Sequence, residues 1–184
     1  QHFSIYDHKG INYSRALFEV TSKVHPAENG VAFELQSVHP NGIKFTTDGS
    51  EPNAASTSYE KPIKINANQT IKAAYFEKGK AKSATIEQSF TISKSSGKMI
   101  ELLHQPHENY GSGGGFTLVD GMKGNTSKFG RDWLGFWGKD LNATIDLGVT
   151  VSVSKVEIST LSAPASWIYY PKNITLWVSN DGKN

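Results

Sequence analysis

The chain has 184 residues, a formal net charge of +2, 37% hydrophobic residues and 11% aromatic ones, the make-up of a folded domain or two with a real core rather than of a disordered tail. Residues 1–96 carry 11 Lys+Arg against 9 Asp+Glu and residues 97–184 carry 8 against 8, so no basic stripe faces nucleic acid and no basic amphipathic helix faces a membrane. The absence of cysteine excludes disulfides, thiolate metal sites and a cysteine nucleophile, and leaves the compartment open.

Apolar runs fall far short of the ~20 residues that span a bilayer. The N-terminus, Gln1-His2-Phe3-Ser4, lacks a charged and then apolar signal pattern, which places any export signal outside this sequence. From Phe3 to Tyr13 the pattern is that of a helix tail, with basic residues ahead of Gly10 at its stop.

Beyond Tyr13 most of the chain reads at a period of two, in short runs rich in Val, Ile, Thr, Phe and Tyr closed by Gly, Pro, Asn and Asp. That pattern predicts an all-β protein. The predicted strands of the first half are Ala16 to Val24, Val31-Phe33-Leu35 alternating with Ala32-Glu34-Gln36, Ile43 to Thr47, Ile63 to Ile65, Ile71-Ala73-Tyr75, and Thr85 to Ile92. Roughly six or seven strands in about 80 residues suit a two-sheet sandwich. Ser93-Lys94-Ser95-Ser96-Gly97-Lys98 is polar and short of anything to bury, and marks a domain boundary.

The second half opens with Met99 to Leu103, passes through the loop Tyr110-Gly111-Ser112-Gly113-Gly114-Gly115-Phe116, and resumes strand patterns at Trp133 to Trp137, Leu141 to Leu147, Val151 to Leu161 and Ile174 to Val178. In the last run Ile174, Leu176 and Val178 share one face, as in a strand with one side in a core. An antiparallel sandwich of about five strands is short of the roughly eight of a jelly roll, so this domain is expected to be incomplete or completed by something else.

Ile43-Lys44-Phe45-Thr46-Thr47-Asp48-Gly49-Ser50-Glu51-Pro52 sets an Asp-Gly turn after an alternating strand, with Gly49 supplying a positive φ and Pro52 discouraging continuation. Tyr59, Pro62-Ile63 and Thr70-Ile71-Lys72-Ala73-Ala74-Tyr75-Phe76 follow. This order, over about residues 27–92, resembles the chitobiase/β-hexosaminidase C-terminal domain, which implies a fibronectin type III or immunoglobulin-like sandwich. Turn and core demands account for every one of these residues, so an architectural role is their leading reading.

The series Phe116-Thr117-Leu118-Val119-Asp120-Gly121, Trp133-Leu134-Gly135-Phe136, Thr144-Ile145-Asp146-Leu147-Gly148, Val156, Tyr170-Pro171 and Val178-Ser179-Asn180-Asp181-Gly182 resembles a discoidin-like (coagulation factor 5/8 type C) domain. That resemblance, which extends to carbohydrate-binding modules of family 32, implies a galactose-binding-like jelly roll whose end loops hold a sugar. Asp7-His8-Lys9-Gly10-Ile11-Asn12-Tyr13 is similar to the end of a glycoside hydrolase family 20 barrel. The order of the three parts resembles the C-terminal portion of a bacterial β-N-acetylhexosaminidase: residues 1–14 the tail of a catalytic barrel, 15–93 the first sandwich, 99–184 the discoidin-like domain. A periplasmic, cell-surface or secreted location follows from that resemblance alone, as does a parent catalytic domain as partner.

Family 20 enzymes, by the same resemblance, use an Asp-Glu pair on the barrel with the substrate acetamide as nucleophile. No such neighbours occur here. Glu101, Asp132, Asp140 and Asp146 read as solvated or turn residues, because acid/base work needs a perturbed carboxyl in a cleft. No catalytic residue is assigned, and the chain itself is not expected to be an enzyme.

The glycine loop fails the dinucleotide fingerprint, since Phe116 stands where glycine is required. His104 and His107 flank Pro106, which breaks any helix that would align them, so no metal is assigned there. Asp120-Gly121 with Asn125-Thr126 is similar to the calcium loop of some discoidin-like domains, where a hard cation meets oxygen ligands. The spacing is imperfect; a turn is the leading reading and calcium the alternative.

Sugars are held by an aromatic face against the apolar side of the ring, flanked by polar groups, on loops. Trp133 and Phe136 read as core. Trp167 and Tyr170, in the loop region Ala163 to Pro171, lead the carbohydrate-binding candidates, followed by Arg131 and Trp137. The ligand class is a GlcNAc-, GalNAc- or galactose-type glycan, and the alternative is a brace for the catalytic barrel with no ligand.

Overall fold

The computed structural model describes residues 9, 15–111, 113–126 and 132–182. Apart from Lys9, the expected barrel tail at residues 1–14 lies outside the described residues. Chain contacts divide the molecule into two compact units: Gln1–His25 with Ala32–Ser89, and Pro26–Val31 with Phe90–Asn184.

The described chain as far as Phe90 is all-β, with Pro26–Val31 and Phe90 counted in the second unit. A short 3-10 turn, Arg15–Phe18, leads into β1 (Thr21–Ala27), β2 (Gly30–Gln36), β3 (Ile43–Thr46), β4 (Thr57–Ser58), β5 (Ile63–Ile65), β6 (Gln69–Glu77), β7 (Lys80–Ala81) and β8 (Ile86–Phe90). These form a three-stranded sheet in the order β1-β2-β5 and a five-stranded sheet in the order β4-β3-β6-β7, with β8 also on β6. β3 runs antiparallel to β6, with Ile43 opposite Tyr75 and Phe45 opposite Ala73.

The alternation read from the sequence sets the inward face. Val31, Phe33 and Leu35 of β2 are buried, as are Ile43, Ile65, Ile71, Ala73 and Tyr75, and together they make a β-sandwich core. Phe18 and Val20 join them, with the Phe18 ring 5.3 Å from that of Tyr75. The predicted first strand thus begins later than expected: Phe18 enters the core from a 3-10 turn, and pairing starts only at Thr21.

In the second unit, β9 (Met99–Leu102) pairs antiparallel with β10 (Ala143–Asp146), Ile100 opposite Ile145. A 3-10 turn at Gly114–Leu118 packs on β9, where Gly115 sits so close that a Cβ would lie 3.2 Å from Leu102. The strand patterns at 133–137, 151–161 and 174–178 do not become ladders. Val153, Val156, Ile158, Ile174, Leu176 and Val178 are exposed. A period of two defines a face, whereas a strand needs a neighbour to take its N–H and C=O groups, and among the described residues from 99 onward a ladder longer than a single bridge forms only between β9 and β10.

The Ser/Gly run is an ordered turn, not a loose tether. Ser96 is buried, its Oγ accepts the N–H of Ser93 at 3.0 Å, and Gly97 N–H donates to Val119 C=O at 2.8 Å. Gly97 has φ +76°, and a Cβ there would collide with the Gly30 carbonyl oxygen. Nearby, Thr91 N–H donates to Gly121 C=O at 2.7 Å and Phe90 forms a bridge with Met122. Hydroxyls that are dispensable in a free linker here replace backbone partners, and the division of chain contacts falls at Ser89/Phe90.

Candidate functional site

The Asp-Gly turn of the first unit is built as its residues require. Gly49 has φ +79°. Asp48 Oδ1 accepts both the N–H and the hydroxyl of Ser50, at 3.0 and 2.6 Å, and Thr46 donates to Ser50 C=O at 2.6 Å. Lys72 on β6 then holds Glu51 at 2.5 Å and Glu87 at 3.3 Å. The Ser50 hydroxyl and N–H hold the Asp48 carboxyl below the usual carboxylate range. The Lys72 ammonium does the same for Glu51, and Glu51 in return raises Lys72. These groups satisfy one another across the sheet surface and offer no cleft, so the motif clamps a turn to a strand.

The exposed aromatic side chains are concentrated in the second unit: Trp137, Trp167, Tyr169, Tyr170 and Trp177. Trp167 caps the 3-10 turn Pro164–Ser166 with φ +59°, and is 84% exposed. The loop beneath it is closed by Ala163 N–H to Ile168 C=O at 2.9 Å and by the reverse bond at 3.2 Å. A bulky residue in the left-handed region costs roughly 1 kcal/mol or more; here that strain raises an indole at the tip of a tied loop. Tyr169 and Tyr170 follow it, both exposed.

Trp137 is 83% exposed and has a neighbour in His107, ring centroids 6.0 Å apart and planes tilted by 31°. His107 in turn lies 5.9 Å from the Tyr110 ring. The two chain segments are joined by backbone: His107 N–H donates to Gly135 C=O at 2.8 Å, and Gly135 N–H to Tyr110 C=O at 2.9 Å. Sequence reading considered His107 only as a metal ligand and left Tyr110 as the start of a glycine loop. Nothing in the spacing ties either to Trp137, because backbone bonds through Gly135 create the contact.

Arg131 lies outside the described residues. Trp133 and Phe136, read as core, are half-buried. Trp133 donates its indole N–H to Asn125 C=O at 3.1 Å and packs so tightly on Gly124 that a Cβ there would come within 2.5 Å of the ring. Trp133 is therefore structural.

Asp120 is buried, with Oδ1 accepting Met122 N–H at 2.8 Å. Burial pushes its carboxyl up to about 7, the Met122 N–H opposes this, and the Asp132 charge adds to it. A calcium ion requires about six to eight oxygens. Around Asp120 the Asn125 carbonyl already takes the Trp133 N–H, and Asp132 Oδ2 takes the Asn125 N–H at 3.1 Å. Among the described residues no three His, Asp or Glu side chains gather as a metal set. The Asp120 carboxylate closes a turn onto Met122. An open depression of about 450 Å³ beside β9 and β10, lined by Glu101, Leu102, Leu103, Asn142 and Thr144, contains none of the aromatic candidates.

The class that the fold defines is an all-β chain whose first unit is a small β-sandwich. Residues 33–90 match the family described as Fn3 associated. No curated protein matches the chain. Among the described residues no helix is long and apolar enough to cross a membrane.

Proposed function

We propose that this chain is a non-catalytic accessory region of a β-N-acetylhexosaminidase, in which the second, discoidin-like unit holds glycan near a catalytic barrel and the first unit spaces it. Holding substrate in this way raises its effective concentration at the enzyme. The observation that carries the reading is Trp167: a large apolar ring raised on a hydrogen-bonded loop, in a strained backbone conformation, with 84% of its surface in water. Strain and exposure of an indole both cost stability, and a stacking partner such as a pyranose ring recovers part of it. Tyr170, three residues on, extends the same segment.

Titration of the chain with GlcNAc, GalNAc and galactose, followed by tryptophan fluorescence, tests this. A saturable change at millimolar sugar that is reduced in Trp167→Ala supports it, and no change with any of the three overturns it. A second reading, a brace without ligand, is favoured by the first unit's motif, where Asp48, Ser50, Glu51 and Lys72 are all engaged with one another. The same titration separates the two.

A further inference from the structure

We infer that His107 is a second recognition group of the glycan surface, donating a hydrogen bond from Nε2 to a sugar hydroxyl while Trp137 stacks against the sugar's apolar face. The inference rests on the glycan reading above and adds a site to it.

The pair is held before any ligand arrives. Gly135 exchanges backbone bonds with His107 and Tyr110 at 2.8 and 2.9 Å, and a Cβ at Gly135 would fall 2.8 Å from Tyr110 Cβ. Only glycine allows the two segments to approach so closely. Trp137 follows Gly135 by two residues and so inherits its position from this junction. His107 is fixed a second time: its Nδ1 accepts the N–H of Asn109 at 3.3 Å, capping the 3-10 turn Glu108–Tyr110.

That cap decides the chemistry. With Nδ1 an acceptor, the neutral imidazole carries its proton on Nε2, which is then a donor. Tyr110, His107 and Trp137 stand in series; the last ring is 83% exposed, and the half-buried middle one carries the Nε2–H. A flat apolar face next to a single neutral donor suits an uncharged pyranoside with one apolar side and hydroxyls at its rim. A packing role alone does not explain so exposed an indole.

The test measures affinity of the full chain for methyl β-GlcNAc, methyl β-GalNAc and methyl β-galactoside in the wild type and in Trp137→Ala, His107→Phe, His107→Asn and Trp167→Ala, with melting temperatures confirming the fold. His107→Phe keeps a ring against Trp137 and loses the N–H; one lost neutral hydrogen bond corresponds to roughly a five- to tenfold weakening. Trp137→Ala is expected to lose more than tenfold. If His107→Phe does not fold, His107→Asn, whose amide still caps Asn109, carries the same expectation of weaker binding. Wild-type affinity in the folded His107 variant, alongside loss in Trp137→Ala or Trp167→Ala, overturns the role of His107 and leaves the glycan reading standing. No binding of any of the three sugars by the wild type overturns both.

Discussion

Lys72 Nζ lies 2.5 Å from Glu51 Oε1, a contact across 21 residues of chain that fastens the Asp-Gly turn to the middle of β6. The two side chains do not contribute equally in water. Glu51 is exposed, whereas Lys72 lies close along the sheet, so the contact orders the turn more than it stabilises the sandwich.

Lys72→Met is therefore expected to lower the melting temperature by less than about 3 °C, and by less still at high salt. Phe33→Ala is a contrast, because Phe33 is fully buried in the core. Loss of that ring costs about 3–5 kcal/mol, enough to unfold a small sandwich. Thermal unfolding of both variants in low and high salt checks the difference.

Asp120 makes the second unit sensitive to pH in a direction unlike an ion-paired carboxylate. Its folded carboxyl titrates at about 7, against an ordinary value of 3.8, so the folded state keeps a proton that the unfolded chain gives up. The linked stability is complete below about pH 4 and is lost as pH rises through 7. Its full span is on the order of 4 kcal/mol. The transition involving Asp120 should melt at higher temperature at pH 5 than at pH 8.5, and Asp120→Asn should flatten that dependence. A pH-independent wild type, or an unchanged slope in the variant, contradicts this.

Gly97→Ala tests the ordered turn that replaced the expected linker. At φ +76° with a carbonyl in the space of a Cβ, the substitution should cost about 2 kcal/mol or more. A tolerated alanine at this position would mean that the serine run is the loose tether its composition suggests.

Trp167→Gly separates stability from function. Glycine takes φ +59° without strain, so the variant should be as stable as the wild type or more so, by up to about 1 kcal/mol. It should nevertheless lose the part of the fluorescence response to sugar that Trp167 contributes. A destabilised Trp167→Gly would show that the indole packs, which the brace reading requires.

Much of the first unit was legible because local and global demands coincide there. Val31, Phe33 and Leu35 alternate in sequence and are buried together, and Gly49 takes the positive φ that an Asp-Gly turn demands. The second unit was less legible for a physical reason. Residues 151–161 and 174–178 carry the same alternation, yet it specifies only a face, and a ladder also needs a partner strand. Ser96 is buried in spite of a composition that reads as linker, because its hydroxyl replaces a backbone acceptor. The aromatic candidates were visible as residues but not as neighbours: Trp137 meets His107 only through the Gly135 junction.

The four tryptophans provide their own control for the claim that this chain holds glycan. Trp133 donates its indole N–H to Asn125, while Trp137 and Trp167 are almost fully exposed. In an NMR titration of the indole N–H signals with methyl β-GlcNAc, methyl β-GalNAc or methyl β-galactoside, the signals of Trp137 and Trp167 should shift saturably in the millimolar range while that of Trp133 stays in place. Stationary Trp137 and Trp167 signals with all three sugars would contradict the account.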